Sequence, residues 1–131
     1  MNNIFLVGDN TAINEYVDNY LKENLFTPFE IEYFDDPIKI ENARAIKNDL
    51  SYKVPTKKIF IFRNTCTIEA QNALLKNMEE APDNVYFLFS SSQEDTLLQT
   101  VRSRCVLVRL TTQTTVSEKI ADLVKNICES N

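Results

Sequence analysis

The sequence predicts an α/β fold, a doubly wound sheet of about five mainly parallel strands with helices on both faces. Apolar runs of four to six residues alternate five times with segments of helical period, the pattern of strand-helix units joined by right-handed crossovers. Four of these runs, Ile4 to Val7, Ile59 to Phe62, Val85 to Phe89 and Cys105 to Val108, are nearly continuous in apolar residues. Strands buried on both faces of a parallel sheet need that continuity, so these four are expected at central positions. The run Phe29 to Phe34 alternates polar and apolar residues and is expected at an edge.

The helices follow from period and punctuation. Ile13, Tyr16, Val17, Tyr20, Leu21 and Leu25 recur at three and four residues and put one apolar stripe on a first helix, with Thr11 as its expected cap. Ala43, Ile46 and Leu50 mark a second helix after Pro37. Ala70, Ala73, Leu74 and Met78 mark a third, opened by Thr67 and closed by Pro82. A short helix is expected around Leu97 to Val101, before the fifth strand. The last helix carries Val116, Ile120, Leu123, Val124 and Ile127 on one side, and Thr115 with Glu118 forms a capping box.

Composition narrows the function. The chain has 131 residues, 44% apolar and 25% charged, which fits a soluble domain with one core. No stretch approaches the roughly 18 apolar residues of a membrane span, and the N-terminus lacks the basic start of a signal peptide. The cytoplasm is therefore the expected compartment. Cys66, Cys105 and Cys128 have neither the number nor the spacing of a disulfide framework or a four-cysteine zinc site. The absence of histidine excludes imidazole bases and ligands. A net charge of -5 argues against an autonomous nucleic-acid binder, which usually owes its affinity to a basic face. Lys53, Lys57 and Lys58 are read as a solvated loop.

After the first apolar run comes Gly8-Asp9-Asn10-Thr11-Ala12-Ile13-Asn14-Glu15, where a nucleotide-binding protein carries its phosphate loop. That loop has the form Gly-x-x-x-x-Gly-Lys-Ser/Thr; its glycines admit phosphates to backbone N–H groups, its lysine neutralises them and its hydroxyl holds magnesium. Aligned from Gly8, the chain offers Ile13, Asn14 and Glu15 at the three chemical positions. Ile13 resists the positive φ that glycine supplies, and Glu15 would bring a like charge toward the phosphates. Gly8 is the one glycine in the sequence. It is expected to make an ordinary turn, and no ATP-binding cofactor site is expected.

Thr67 to Pro82, which contains Ala70-Gln71-Asn72-Ala73-Leu74-Leu75-Lys76-Asn77-Met78-Glu79-Glu80, is followed at a distance by Ser103-Arg104-Cys105. Together they resemble the AAA+ clamp-loader subunits of bacterial DNA polymerase III, whose pattern reads Ala-Gln-Asn-Ala-Leu-Leu-Lys-x-Leu-Glu-Glu-Pro and later Ser-Arg-Cys. Lys39 to Ile46 resembles the helix that precedes the third strand in that family, so the likeness covers about Ile4 to Leu110. It implies a P-loop NTPase-like (AAA+) version of the doubly wound sheet, with residues 1–131 as one core domain and the lid and collar domains of relatives absent.

Within that family the delta-prime type fits best, because that subunit often lacks a working phosphate loop yet keeps Ser-Arg-Cys. Active members carry an Asp-Glu pair after the third strand; here the residues are Arg63 and Asn64, and Ser90-Ser91-Ser92 occupies the sensor region. The resemblance implies a non-hydrolysing subunit with gamma/tau-type and delta-type partners, reaching the sliding clamp and primed DNA through the complex. It also implies that Arg104 reaches across an interface to a neighbour's γ-phosphate, with Ser103 and Cys105 beside it at that interface. Ser103 is expected to fix the turn, and Cys105 to pack as a small hydrophobe. The competing reading leaves Arg102 and Arg104 as solvated surface residues, and Glu79 and Glu80 as a solvated helix end. Two other functions stay open: a diverged gamma-like NTPase using substitute residues, and an AAA+-derived interaction module used outside replication.

Overall fold

The computed structural model describes residues 2–50 and 56–110. The elements run β1 (Asn3–Val7), α1 (Asn10–Glu23), β2 (Ile31–Phe34), α2 (Ile40–Leu50), β3 (Lys58–Phe62), α3 (Ile68–Glu80), β4 (Val85–Ser91), α4 (Gln99–Arg102) and β5 (Val106–Arg109), with short 3-10 turns at Pro28–Glu30 and Glu94–Thr96. All strand pairs are parallel, in the order β2-β3-β4-β1-β5. The chain therefore leaves β1 for the far edge, fills back through β3 and β4, and crosses β1 again to place β5. That reversal opens a crevice at the carboxyl ends of β1 and β4, where doubly wound sheets hold their ligands.

Two apolar layers hold the sheet. On one face Ile4, Leu6, Ile59, Ile61 and Leu88 pack against Ile13, Val17 and Leu21 of α1. On the other, α2, α3 and α4 cover an aromatic layer that includes Phe5, Phe60, Phe62, Phe87 and Phe89. The parallel register lines up Phe34, Phe62, Phe89, Phe5 and Leu107 across all five strands. Phe62 stacks on Phe34 at 5.1 Å and on Phe89 at 4.8 Å between ring centroids. Offset stacking of this kind adds about 0.5–1.5 kcal/mol per pair to the burial itself. This layer fixes the strand ends around which both functional regions are built.

β2 is an edge strand, as its alternation predicts, and the order of strands and helices follows the sequence reading. Several details differ. β5 is the other edge of the sheet among the described residues, with Val106 48% and Leu107 36% exposed. An apolar run of four cannot distinguish one strand neighbour from two. α1 is capped by Asp9, whose carboxylate accepts from the Ala12 N–H at 2.8 Å, while Thr11 lies inside the helix. Leu25 falls beyond α1, has φ 57° and is 79% exposed, so it does not continue the stripe. β2 begins at Ile31, leaving Phe29 in the preceding 3-10 turn and exposed.

Gly8 does sit at the bend after β1, but with no positive φ. Its reason is space: a Cβ there would lie 2.9 Å from the Leu110 Cβ and 3.0 Å from the Leu110 carbonyl oxygen. Lys57 lies over the Phe26 ring at 4.5 Å and donates to the Asn24 carbonyl, and Lys58 opens β3 and pairs with Glu32 at 3.4 Å. These lysines have local partners and are not a merely solvated loop. Lys53, Cys128 and the final helix with its Thr115 and Glu118 box lie outside the described residues.

Candidate functional site

The crevice at the carboxyl ends of β1, β3 and β4 holds a cavity of about 410 Å³, lined by Gly8, Asp9, Asn10, Ile13, Arg63, Asn64, Ser90, Ser91 and neighbouring residues. Several of its polar groups, Asp9, Arg63, Asn64, Ser90, Ser91 and Thr96 among them, are engaged within the chain. Asp9 places its carboxylate on the N-terminus of α1, the position at which a helix dipole would otherwise favour an external anion. Ile13 contributes an apolar wall, 5% exposed. Asn14 and Glu15 are exposed along α1 and are not among the lining residues.

Arg63 and Asn64, which follow β3, both turn to the loop after β2. The Arg63 guanidinium donates from Nε to the Asp35 carboxylate at 2.6 Å and lies 4.6 Å from the centre of the Tyr33 ring. Its hydrogen bond holds the Asp35 carboxyl below the usual range and raises the arginine in return. Asn64 donates to the Asp35 carbonyl at 2.9 Å and accepts from the Thr65 N–H at 2.7 Å. Ser90 donates to the Phe62 carbonyl at 2.9 Å, and the Ser91 hydroxyl accepts from the Gln93 N–H. Burial pushes the Cys66 thiol in this wall up to about 12, so it stays protonated and unreactive near neutral pH.

Arg104 lies at the opposite end of the sheet. α4 ends in a turn in which the Ser103 hydroxyl donates to the Thr100 carbonyl at 2.9 Å and the Arg104 N–H donates to the Val101 carbonyl at 3.0 Å. Ser103 thus fixes the turn, and Cys105 packs half-buried against the aromatic layer with its thiol pushed up to about 12 by burial. Asn3, the first residue of β1, donates to the Arg104 carbonyl at 3.2 Å. Gly8 is five residues further along the same chain path, roughly 16 Å at the rise of an extended strand. The Arg104 side chain is 44% exposed and meets Glu79 of α3 at 2.6 Å. Arg102 is only partly exposed and its Nε is buried without a hydrogen-bond partner, so it is not a solvated surface residue.

Two buried polar residues whose roles the sequence does not reveal tie α3 to its neighbours. Gln71 is 3% exposed; its amide donates to the Cys66 and Thr96 carbonyls at 3.0 and 3.1 Å, and its oxygen accepts from the Leu98 N–H at 2.6 Å. It therefore ties the cavity wall to the segment that enters α4. Asn77, 5% exposed, donates to the Ala43 carbonyl at 3.0 Å and joins α3 to α2. Both sit where the α3 period calls for apolar residues, alongside Ala70, Leu74 and Met78. A polar residue on a core-facing stripe is the signal that marks them.

The family model described as DNA polymerase III, delta subunit, matches residues 8–114. The chain belongs to the clamp-loader AAA+ family of DNA polymerase III. Among curated relatives, it is similar to the DNA polymerase III subunit delta′ of Yersinia pestis, 54% identical over 39 residues, or 30% of this chain and 12% of the relative. It is also similar to subunit delta′ of Buchnera aphidicola subsp. Baizongia pistaciae, 30% identical over 103 residues, or 79% of this chain and 27% of the relative. Among solved structures, a gamma subunit-related protein of Thermotoga maritima superimposes with TM-score 0.68 at 27% identity, covering 86% of this chain and 42% of that one. This clamp-loader chain thus spans about an eighth to a quarter of the length of these curated relatives. Among its described residues no helix is long and apolar enough to cross a membrane.

Proposed function

We propose that the chain acts as a non-hydrolysing clamp-loader subunit of the delta-prime type, working in the cytoplasm and donating Arg104 to the nucleotide of a neighbouring gamma/tau-type subunit. The observation that carries this reading is position. Arg104 projects half-exposed at the amino end of the sheet, beyond the start of β1, while the cavity lies at the carboxyl end. An arginine so placed cannot reach a nucleotide in its own cavity; its planar, permanently charged donors are suited to a partner's phosphates.

The cavity itself does not fit a magnesium-bound triphosphate. Its lining includes one carboxylate, Asp9, which caps α1, and one cation, Arg63, which is held by Asp35. A hydrolytic site needs acidic groups for the metal and the attacking water, and a free cation for the phosphates. The same arrangement counts against the diverged-NTPase reading. Contacts with the delta-type subunit, the sliding clamp and primed DNA would come through the assembled loader.

The test has two arms. Titration of the chain with ATP and magnesium should show no micromolar binding, and saturable binding would overturn the reading of the cavity as unable to hold ATP; measurable ATP turnover by the chain alone would overturn the non-hydrolysing reading. ATP turnover by a cognate gamma-type subunit, assembled with this chain and primed DNA, should fall about 10³-fold with Arg104→Ala, the lower range for an arginine finger. Unchanged turnover with assembly intact would remove Arg104 from the mechanism and leave a scaffold.

A further inference from the structure

The last turn of α3 is electrostatically awkward. Glu79 and Glu80 stand where the helix dipole favours cations, and the turn carries no basic residue of its own. The missing cation comes from another element. Arg104, 25 residues further along the chain, sets its Nη2 2.6 Å from the Glu79 carboxylate, and its other terminal nitrogen faces the Thr100 carbonyl at 3.4 Å. Both side chains of the pair are 44% exposed.

We infer that Glu79 is the positioning residue of Arg104: it holds the guanidinium on the end of α3 until the phosphates of a neighbour's nucleoside triphosphate take it. This rests on the reading of Arg104 as a donor in trans. The carboxylate has two consequences. It limits the rotamers of a long side chain, and it partly cancels the charge that the neighbour's phosphates must attract. A half-exposed ion pair is weak and screened by salt, biasing such an equilibrium by a factor of about two to five. A polyphosphate bearing several negative charges outcompetes one carboxylate, so the hold is released on docking. The pair therefore sets how readily Arg104 is delivered, while the turn made by Ser103 sets where it is delivered from.

The experiment is steady-state ATP turnover by the gamma-type subunit in the assembled loader with primed DNA. It compares this chain with its Glu79→Gln, Glu79→Asp and Arg104→Ala variants and with Glu79→Gln combined with Arg104→Ala. Glu79→Gln should raise kcat about two- to fivefold; Glu79→Asp, which keeps the charge, should stay nearer the parent. The gain should vanish in the combined variant and shrink as salt rises. A flat or lowered kcat for Glu79→Gln, while Arg104→Ala still lowers turnover, overturns the holding role alone. A gain that persists without Arg104 also overturns it, because Glu79 would then act by itself. If Arg104→Ala leaves turnover unchanged, the donor reading and the holding role fall together. Thermal melts of each variant separate these outcomes from a loss of folding.

Discussion

The two ends of the sheet use charge in opposite ways. At the carboxyl end, Asp9 is turned onto α1, Arg63 is clasped between Asp35 and Tyr33, and Arg109 makes a two-point contact with Glu94. At the amino end, Arg104 is anchored by its backbone, while its side chain rests on an exposed carboxylate. The first arrangement neutralises charges within the chain. The second ties the backbone by hydrogen bonds and leaves the charge half-exposed. A rigid base with a weakly held tip is what a group acting on another molecule needs.

Variants can break or sharpen this contrast. The largest stability effect should come from Gln71→Ala, which leaves the Cys66 and Thr96 carbonyls and the Leu98 N–H unpaired in a buried place. A loss of about 2–3 kcal/mol in urea unfolding is expected; a change below experimental error would show that the two ends are not tied through α3. Gly8→Ala should follow, at about 1–3 kcal/mol, because the new Cβ must displace the Leu110 backbone at the β1–β5 exit. Calorimetry of that variant would expose any slack there.

Asp9→Ala removes the α1 cap and should cost about 1 kcal/mol. If the carboxyl end still favoured anions once its own was removed, ATP would begin to protect this variant in thermal shift. No such protection is expected, because Ile13 still walls the cavity and its one cation, Arg63, stays held by Asp35. The smallest effect concerns acid. Glu30, at the amino end, accepts from the Thr27 N–H at 2.8 Å and from the Thr56 hydroxyl at 2.7 Å, which lowers its carboxyl to about 2. A depressed carboxyl stabilises the fold above its unfolded value and loses that contribution as pH falls toward the folded one. The difference in Tm between the parent and Glu30→Gln should thus close as pH falls from about 4.5 to about 2. A gap that stays constant over that range would mean these contacts do not depend on the carboxylate.

The sheet was legible because continuous apolar runs and helical stripes are strong signals, and β2 declared its edge by alternating. β5 did not, since Val106 and Leu107 read as core whether or not a second strand neighbour covers them. Asp9 and Thr11 can both cap a helix, and they are two residues apart; only the hydrogen bond to the Ala12 N–H distinguishes them. The positions of Arg63 and Asn64 were visible, but their ties to Asp35 depend on how the loops after β2 and β3 meet. The same holds for Glu79, which reads as a solvated helix end until α4 brings Arg104 beside it. Contacts between segments far apart in sequence carry no local period, so both polar clusters needed the fold.

The contrast between the ends is tested most directly by measuring ATP turnover of the assembled gamma-type subunit with Arg104→Ala and Arg63→Ala side by side. Arg104→Ala should lower turnover about 10³-fold, whereas Arg63→Ala, acting on a framework contact, should leave it within about twofold of the parent. A loss of turnover with Arg63→Ala as large as that with Arg104→Ala, with both variants folded and assembled, would contradict the account.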